Sequence, residues 1–208
     1  MYYGEKFNSI SHLVGAVLAL VGLGALLTVS IQSGDAATIS SFSVFGLTLV
    51  LLYTMSTLYH SFHPPTLKTL FRKLDHVTIY LLIAGTYTPY LTVSLGDQTG
   101  YMMLFIIWTL ALLGLLIEVF SSRRLIALQV TIYLFMGWIV LFRYASFASV
   151  IPAPGMLLLT LGGVAYTVGV IFYVLDKMHL LTHAHGIWHL FVLVGSGLHF
   201  ASVIGYVR

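Results

Sequence analysis

Seven apolar stretches, each long enough to cross a bilayer, restrict the folds that are open to this chain. They run approximately over Ser11–Ile31, Ile39–His60, Asp75–Val93, Tyr101–Val119, Leu125–Tyr144, Pro154–Leu175 and His185–Tyr206. A membrane-spanning helix needs ~20 mainly apolar residues. The breaks between the stretches carry Gly, Pro, Ser and Asp, which are typical of turns. The pattern predicts an all-α polytopic membrane protein, a seven-transmembrane helix bundle that forms a single domain over residues 1–208.

The composition excludes a soluble globular protein. The chain has 208 residues, of which 59% are hydrophobic and 7% are charged, whereas about a quarter of the residues of a soluble domain are charged. The apolar runs are far longer than the ~10 residues of a membrane β-strand and show no strand-like alternation. The chain has no cysteine, which excludes a disulfide framework and a thiolate metal site. The net charge of +3 is modest and its basic residues lie in short loops, which argues against a nucleic-acid surface.

Lysine and arginine predict the orientation of the bundle, because they concentrate on the cytoplasmic side. With seven spans, seven basic residues fall on one side of the membrane: Lys6, Lys68, Arg72, Lys73, Arg123, Arg124 and Lys177. Arg143 and Arg208 fall on the other. We therefore expect a cytoplasmic N-terminus and an external C-terminus. The first stretch is longer than the apolar region of a signal peptide, so we expect it to be a retained helix.

Polar residues cluster at the predicted cytoplasmic ends of four spans. His60 ends the second span, Asp75 and His76 begin the third, and His185 and His189 begin the seventh. The first span begins beside a further polar group, made up of Glu5, Asn8 and His12. Ionisable groups within membrane helices are costly and by default mark a functional site. The shared depth of these groups predicts such a site near the cytoplasmic face.

The histidines among them have the spacing of metal ligands. His185 and His189 are four residues apart, so they share one helix face with ~6 Å between their Cβ atoms. His60 would supply a third nitrogen from another helix. Three histidines and an open fourth position for water are typical of a catalytic zinc site, and nitrogen ligands favour zinc over magnesium or calcium.

Two further residues are candidates for proton transfer beside that site. Ser56 lies four residues before His60 on the same helix face, and Asp75 opens the third span at similar depth. One could orient the water or share its proton, and the other could hold a ligand imidazole. Asp75 could instead cap the N-terminus of the third span.

The other notable residues have simpler interpretations. We expect His63, His179 and His183 to be solvated, and His199, ~15 Å along the helix from His189, to be hydrogen-bonded within the bundle. His12 is expected to pair with Glu5 or with polar neighbours rather than to bind metal. Glu118 is expected to pair with Arg123 or Arg124. The segment from Gly85 to Pro89 predicts a packing kink in the third span, and the glycines of spans one, six and seven predict close helix contacts.

These motifs resemble the bacterial haemolysin III proteins of the progestin and adipoQ receptor family. The resemblance lies in Ser56-Thr-Leu-Tyr-His60, Leu74-Asp75-His76 and His185-Gly-Ile-Trp-His189, in their order and rough spacing. The segment from Glu5 and Asn8 through Gly15 is similar to the N-terminal signature of that family, and Ile79 to Pro89 to its third-span signature.

The resemblance implies a seven-helix bundle with a cytoplasmic N-terminus in the bacterial inner membrane. It also implies zinc held by His60, His185 and His189, with Ser56 and Asp75 beside the bound water. The wider superfamily includes alkaline ceramidases, which cleave a lipid amide, and its animal members are receptors. Bacterial members are named for haemolysis and are linked to membrane fluidity and energetics.

Three classes of function follow as hypotheses. The first is a zinc-dependent intramembrane hydrolase of a lipid amide or ester, with Asp75 as the proton carrier and Ser56 placing the water. The second is a sensor of membrane state in which zinc is structural. The third is a pore or cytolysin, for which the sequence offers no amphipathic pore-forming segment and no row of charges lining a path. A metal transporter would need polar groups along the whole depth of the bundle rather than at one end.

Overall fold

The computed structural model describes residues 4–121 and 125–208 and is helical throughout. No strand occurs in these two ranges. The α-helices are α1 (Lys6–Ser33), α2 (Ala36–Ser61), α3 (Pro65–Pro89), α4 (Gln98–Phe120), α5 (Ile126–Gly137), α6 (Tyr144–Val150), α7 (Ala153–Lys177) and α8 (Ala184–Tyr206). A π-helical segment, Tyr90–Leu95, continues α3, and a 3-10 segment, Ile139–Arg143, joins α5 to α6.

Turn residues end the helices where the sequence predicts breaks. Gly34 adopts a left-handed conformation, with φ of 68°, and ends α1. The Asp35 side chain then caps α2 by accepting a hydrogen bond from the backbone N–H of Thr38 at 2.7 Å. Asp97 caps α4 in the same way through the N–H of Gly100, also at 2.7 Å. These caps satisfy donors that the first turn of a helix leaves without a partner.

Within the described ranges, six helical segments, and not seven, are long and apolar enough to cross a membrane. They are α1, α2, α4, the segment Ile126–Val150, α7 and α8. The predicted count of seven is not supported, because α3 does not belong to this set. Instead of beginning at Asp75, α3 begins at Pro65, and the added turns carry Lys68, Arg72 and Lys73. The six segments nevertheless make the chain a multi-pass membrane protein.

The predicted third and fifth spans differ from regular helices. The helix type changes at Pro89, where α3 becomes π-helical, as expected from a residue without a backbone donor. The Thr88 hydroxyl donates to the carbonyl oxygen of Ala84 at 2.8 Å, within the same disturbed turn. The fifth apolar segment extends to Val150 rather than Tyr144 and is interrupted after Gly137 by the 3-10 turn.

The helices close into a ring. α1 packs between α2 and α8, α2 contacts α3, and α7 lies against α8, while α5 joins α3 to α7. Small residues allow close approach: an added Cβ at Gly15 would lie 2.8 Å from Leu193 Cδ2, across the contact between α1 and α8. The outer surface is apolar, with Phe120 79% exposed and Phe105 73% exposed. A lipid-facing surface has this character, since bilayer lipid does not penalise exposed apolar side chains.

Candidate metal centre

Three histidines from two helices meet at one end of the bundle. His60 lies in the last turn of α2, and His185 and His189 lie in the first turns of α8. A ligand nitrogen from each lies within 4.8 Å of those from the other two. His60 and His189 are buried, with 2% and 1% of their surfaces exposed. Within residues 4–121 and 125–208, this is the one group of three or more metal-binding side chains at such distances.

Glu5 orients the His60 ring. Its Oε2 lies 2.6 Å from His60 Nδ1 and 2.9 Å from Asn8 Nδ2, which donates to it. Burial opposes ionisation of Glu5, but the hydrogen bonds from His60 and Asn8 and the charge of Lys68 outweigh it. They lower its pKa from 4.5 to about 2. An ionised Glu5 accepts the Nδ1 proton of His60 and leaves Nε2 as the free donor of electrons to a metal.

The α8 histidines are held through the same ring atom. Asp176 Oδ2 lies 3.2 Å from His185 Nδ1. The Nδ1 of His189 lies 3.1 Å from the backbone oxygen of Asn8 and 3.3 Å from Ser11 Oγ. Each of the three histidines therefore has an oxygen partner at Nδ1. Such partners fix the tautomer and orientation of metal-binding imidazoles.

The residues present fit a zinc ion. The Nε2 atom of His60 is buried and has no hydrogen-bond partner in the structure. An unpaired buried polar atom is costly, and a bound cation would remove that cost. Three imidazoles held through Nδ1, with one ligand nitrogen from each within 4.8 Å of the others, match the donor set of a catalytic zinc site.

His12 and Ser56 form a second pair beside the centre. Ser56 Oγ lies 2.7 Å from His12 Nδ1, and the His12 ring stacks on His189 with centroids 3.6 Å apart. The predicted partner Glu5 is bound to His60 instead, so His12 pairs with a polar neighbour on α2. The His12 Nε2 atom is buried without a partner. His12 does not join the three-histidine group.

A small cavity adjoins the centre on the side of Asp75. Its volume is about 50 Å³, and its wall includes Ser56, Asp75, His185 and His189. Asp75 is half-buried and lies within α3 rather than at its start, so the alternative role of helix cap is wrong. Ser56 keeps capacity for one more hydrogen bond toward this cavity, since a hydroxyl both donates and accepts.

A wider vestibule of about 280 Å³ lies on the other side of the centre. Its wall includes Glu5, His60, Asp176, His183 and His185. The vestibule is more open than the cavity and is lined by residues before α1 and around the turn between α7 and α8. It provides a polar approach to the histidines from the end of the bundle.

Asp176 is not among the residues identified from the sequence, although an Asp nine residues before His185, across a short turn, is a recognisable signal. For Glu118 the sequence predicts pairing with Arg123 or Arg124, which lie outside the described residues. The Oε1 atom of Glu118 lies 3.0 Å from His76 Nδ1. His199 is hydrogen-bonded within the bundle as expected, with Nε2 3.0 Å from the carbonyl oxygen of Leu159.

Comparisons with known proteins agree with these motifs. The family model described as "Haemolysin-III related" matches residues 2–200. The chain is 42% identical to "Hemolysin-3" of Bacillus cereus, over 98% of this chain and 91% of that protein. It is 40% identical to the "Hemolysin-3 homolog" of Bacillus subtilis (strain 168), over 97% of this chain and 93% of that protein.

A more distant similarity reaches an animal protein. The chain is 28% identical to the human "Monocyte to macrophage differentiation factor", over 99% of this chain and 85% of that protein. This relative is of the progestin and adipoQ receptor type, in keeping with the resemblance noted in the sequence. The chain belongs to the haemolysin-III-related family of multi-pass membrane proteins.

Proposed function

We propose that this protein is a zinc-dependent intramembrane hydrolase that cleaves an amide or ester bond of a membrane lipid. The observation that carries the proposal is the group of three histidines, whose ligand nitrogens lie within 4.8 Å of one another beside a cavity that also meets Asp75. Zinc bound there would polarise the carbonyl and lower the pKa of a bound water.

The residues of the chain would handle the substrate and the proton. Asp75, on the cavity wall, takes a proton from the attacking water and returns it to the leaving group. Ser56, fixed by His12, offers the water a hydrogen bond and limits its orientation. The apolar wall residues Leu52, Ile79 and Val192 limit the access of bulk solvent and would contact the acyl carbons next to the scissile bond.

The proposed topology has seven spans, with α3 as the additional one. The half of α3 after Asp75 is apolar enough to be buried among α2, α4 and α5, and it does not need to face lipid along its whole length. The basic residues predict that the end of the bundle with the metal centre is cytoplasmic, and in this topology the site would lie at the inner leaflet of the bacterial plasma membrane.

Metal analysis combined with turnover tests this function. Purified protein should contain about one zinc per chain, and the metal should be lost when His60, His185 and His189 are each replaced by Ala. In lipid vesicles, the zinc-loaded protein should cleave a fluorescent N-acyl or O-acyl lipid, and Asp75→Asn should abolish cleavage while retaining zinc. Zinc-loaded protein that cleaves no member of a broad panel of acyl lipids would refute the hydrolase.

A sensor of membrane state with structural zinc is the second candidate. It is favoured by the contacts that join α1, α2 and α8 around the histidines, among them the bond between Ser11 and His189 and the one between His12 and Ser56. In that case Asp75→Asn would leave function unchanged, whereas His60→Ala would lower the thermal stability of the bundle.

A further inference from the structure

An acid–base pair with a buried carboxylate, His76 and Glu118, lies beside the Asp75 cavity. The Glu118 side chain is 7% exposed, and its Oε1 lies 3.0 Å from His76 Nδ1. The Gln129 amide donates to the other carboxylate oxygen. The Tyr133 hydroxyl donates to the backbone oxygen of His76 at 2.9 Å, which further fixes the position of His76.

The His76 side of this pair faces the cavity of the metal centre. His76 and Gln129 line the same cavity of about 50 Å³ as Asp75 and Ser56. Because a water molecule needs roughly 10–15 Å³ of such volume, the cavity has room for about three to five waters. A short water chain can therefore connect Asp75 with the His76 ring. The His76 side chain is also 17% exposed, so it can pass a proton onward to solvent.

The charges around His76 leave its pairing with Glu118 intact. Within the described ranges, Glu118 forms its ion pair with His76. The nearby Lys73 ammonium donates to the backbone oxygen of Val119, and Lys177, on the cavity wall, pairs with Asp176. The other titratable groups on that wall are His12, Tyr59, Asp75, Tyr133, Tyr173, His185 and His189. With Glu118 accepting the Nδ1 proton, Nε2 of His76 is left as a proton acceptor.

We propose that His76, held by Glu118, is the group through which the cavity water exchanges protons with the aqueous face of the bundle. Its use in turnover rests on the proposed hydrolase. There, the water oxygen bonds to the acyl carbon, the bond to the leaving oxygen or nitrogen breaks, and Asp75 relays a proton to the leaving group. Ester cleavage yields a carboxylate, an alcohol and one free proton, which His76 carries away. Amide cleavage yields a carboxylate and an ammonium, so no net proton has to leave.

Matched substrates test the proposal. His76→Asn keeps a donor at the place of Nδ1 for Glu118 but removes Nε2. We expect it to slow cleavage of an O-acyl lipid probe about 10²-fold, the lower end of what acid–base catalysis contributes. Cleavage of the matching N-acyl probe should change less than about threefold, because the variant loses only the removal of a proton and amide cleavage releases no net proton. His179→Asn, an exposed loop substitution, is the control and should leave both rates unchanged.

Imidazole rescue separates proton transfer from structure. In His76→Ala, a series of substituted imidazoles should restore ester cleavage in proportion to their basicity, because a proton-transfer step follows Brønsted behaviour. Full ester activity in His76→Asn, or rescue that does not depend on basicity, would overturn the proposal.

Nitrogen-15 NMR of histidine-labelled protein in vesicles provides a readout that does not depend on turnover. The signals lost in His76→Asn should show a protonated Nδ1 and an acceptor Nε2 that exchanges with water. This result in a protein that cleaves no probe would refute the hydrolase while supporting proton exchange at His76. A fixed proton on Nε2, with Nδ1 unprotonated, would overturn the role of His76 whether or not the protein cleaves lipids.

Discussion

Replacing Glu5 by Gln tests whether the residues before α1 tune the metal centre. Glu5 Oε2 lies 2.6 Å from His60 Nδ1, and its lowered pKa, about 2, means that it is ionised at neutral pH. A carboxylate that accepts the Nδ1 proton makes Nε2 a stronger ligand. Glutamine has nearly the same size and can still accept a hydrogen bond, so the substitution removes the charge and little else.

The expected loss is in zinc affinity rather than in folding. Loss of a partner of this kind costs 10- to 100-fold in metal affinity, which corresponds to about 1.4–2.7 kcal/mol of binding free energy. We expect the lower half of this range, because the glutamine oxygen retains a neutral hydrogen bond, and charge-assisted bonds are only about twice as strong as neutral ones.

Chelator competition measures this loss directly. Zinc-loaded protein in detergent is titrated with a chelator of known affinity, and free zinc is followed with an indicator. Asp35→Asn is the matched control, because it removes a carboxylate at the opposite end of α2, roughly 37 Å away at 1.5 Å per residue, and keeps a helix cap. Equal zinc affinity in Glu5→Gln and in the control, within about twofold, would refute a role of Glu5 in metal binding.

Three further predictions concern stability. Hydrogen bonds from the side chain and backbone of Thr38 lower the pKa of Asp35 below 3.8. Asp35→Ala should therefore lower the melting temperature at pH 7. The difference in melting temperature between wild type and variant should vanish as the pH falls below 3.8 and through the lowered pKa of Asp35. Gly114→Ala would place a Cβ 2.6 Å from Tyr80 Cδ1 and should destabilise the bundle by about 1–3 kcal/mol in denaturant unfolding, whereas Gly24→Ala, with nothing within 4 Å of an added Cβ, should not. Chelation of zinc should lower the melting temperature of the wild type and leave a variant without the three histidines unchanged, because a ligand that binds only the folded state stabilises it.

The membrane class and the grouping of the three histidines could be predicted from the sequence. Long apolar runs have one stable arrangement in a bilayer, because backbone groups in lipid must be bonded within a helix. The H-x-x-x-H spacing brings His185 and His189 to one helix face without any knowledge of the fold. The depth of His60 followed from the predicted end of the second span, and the structure brings it within reach of the other two.

The extent of α3 could not be read from the sequence. Its first turns are charged and its later turns are rich in Thr and Tyr, so apolar periodicity does not mark where the helix begins. The structure starts it at Pro65, and this places Asp75 inside the helix rather than at its cap. The break in the fifth segment was also missed, because a 3-10 turn has no strong sequence signal.

The partners of each polar group were decided only by the tertiary structure. Glu5 could have paired with His12 by proximity in sequence, yet it binds His60, 55 residues away. Glu118 binds His76 across the contact between α3 and α4. Sequence spacing determines which side chains share a helix face, since that depends on backbone geometry alone. Which faces meet depends on the packing of all helices around the ring, and only that packing brings the hydrogen-bonding atoms of distant residues together.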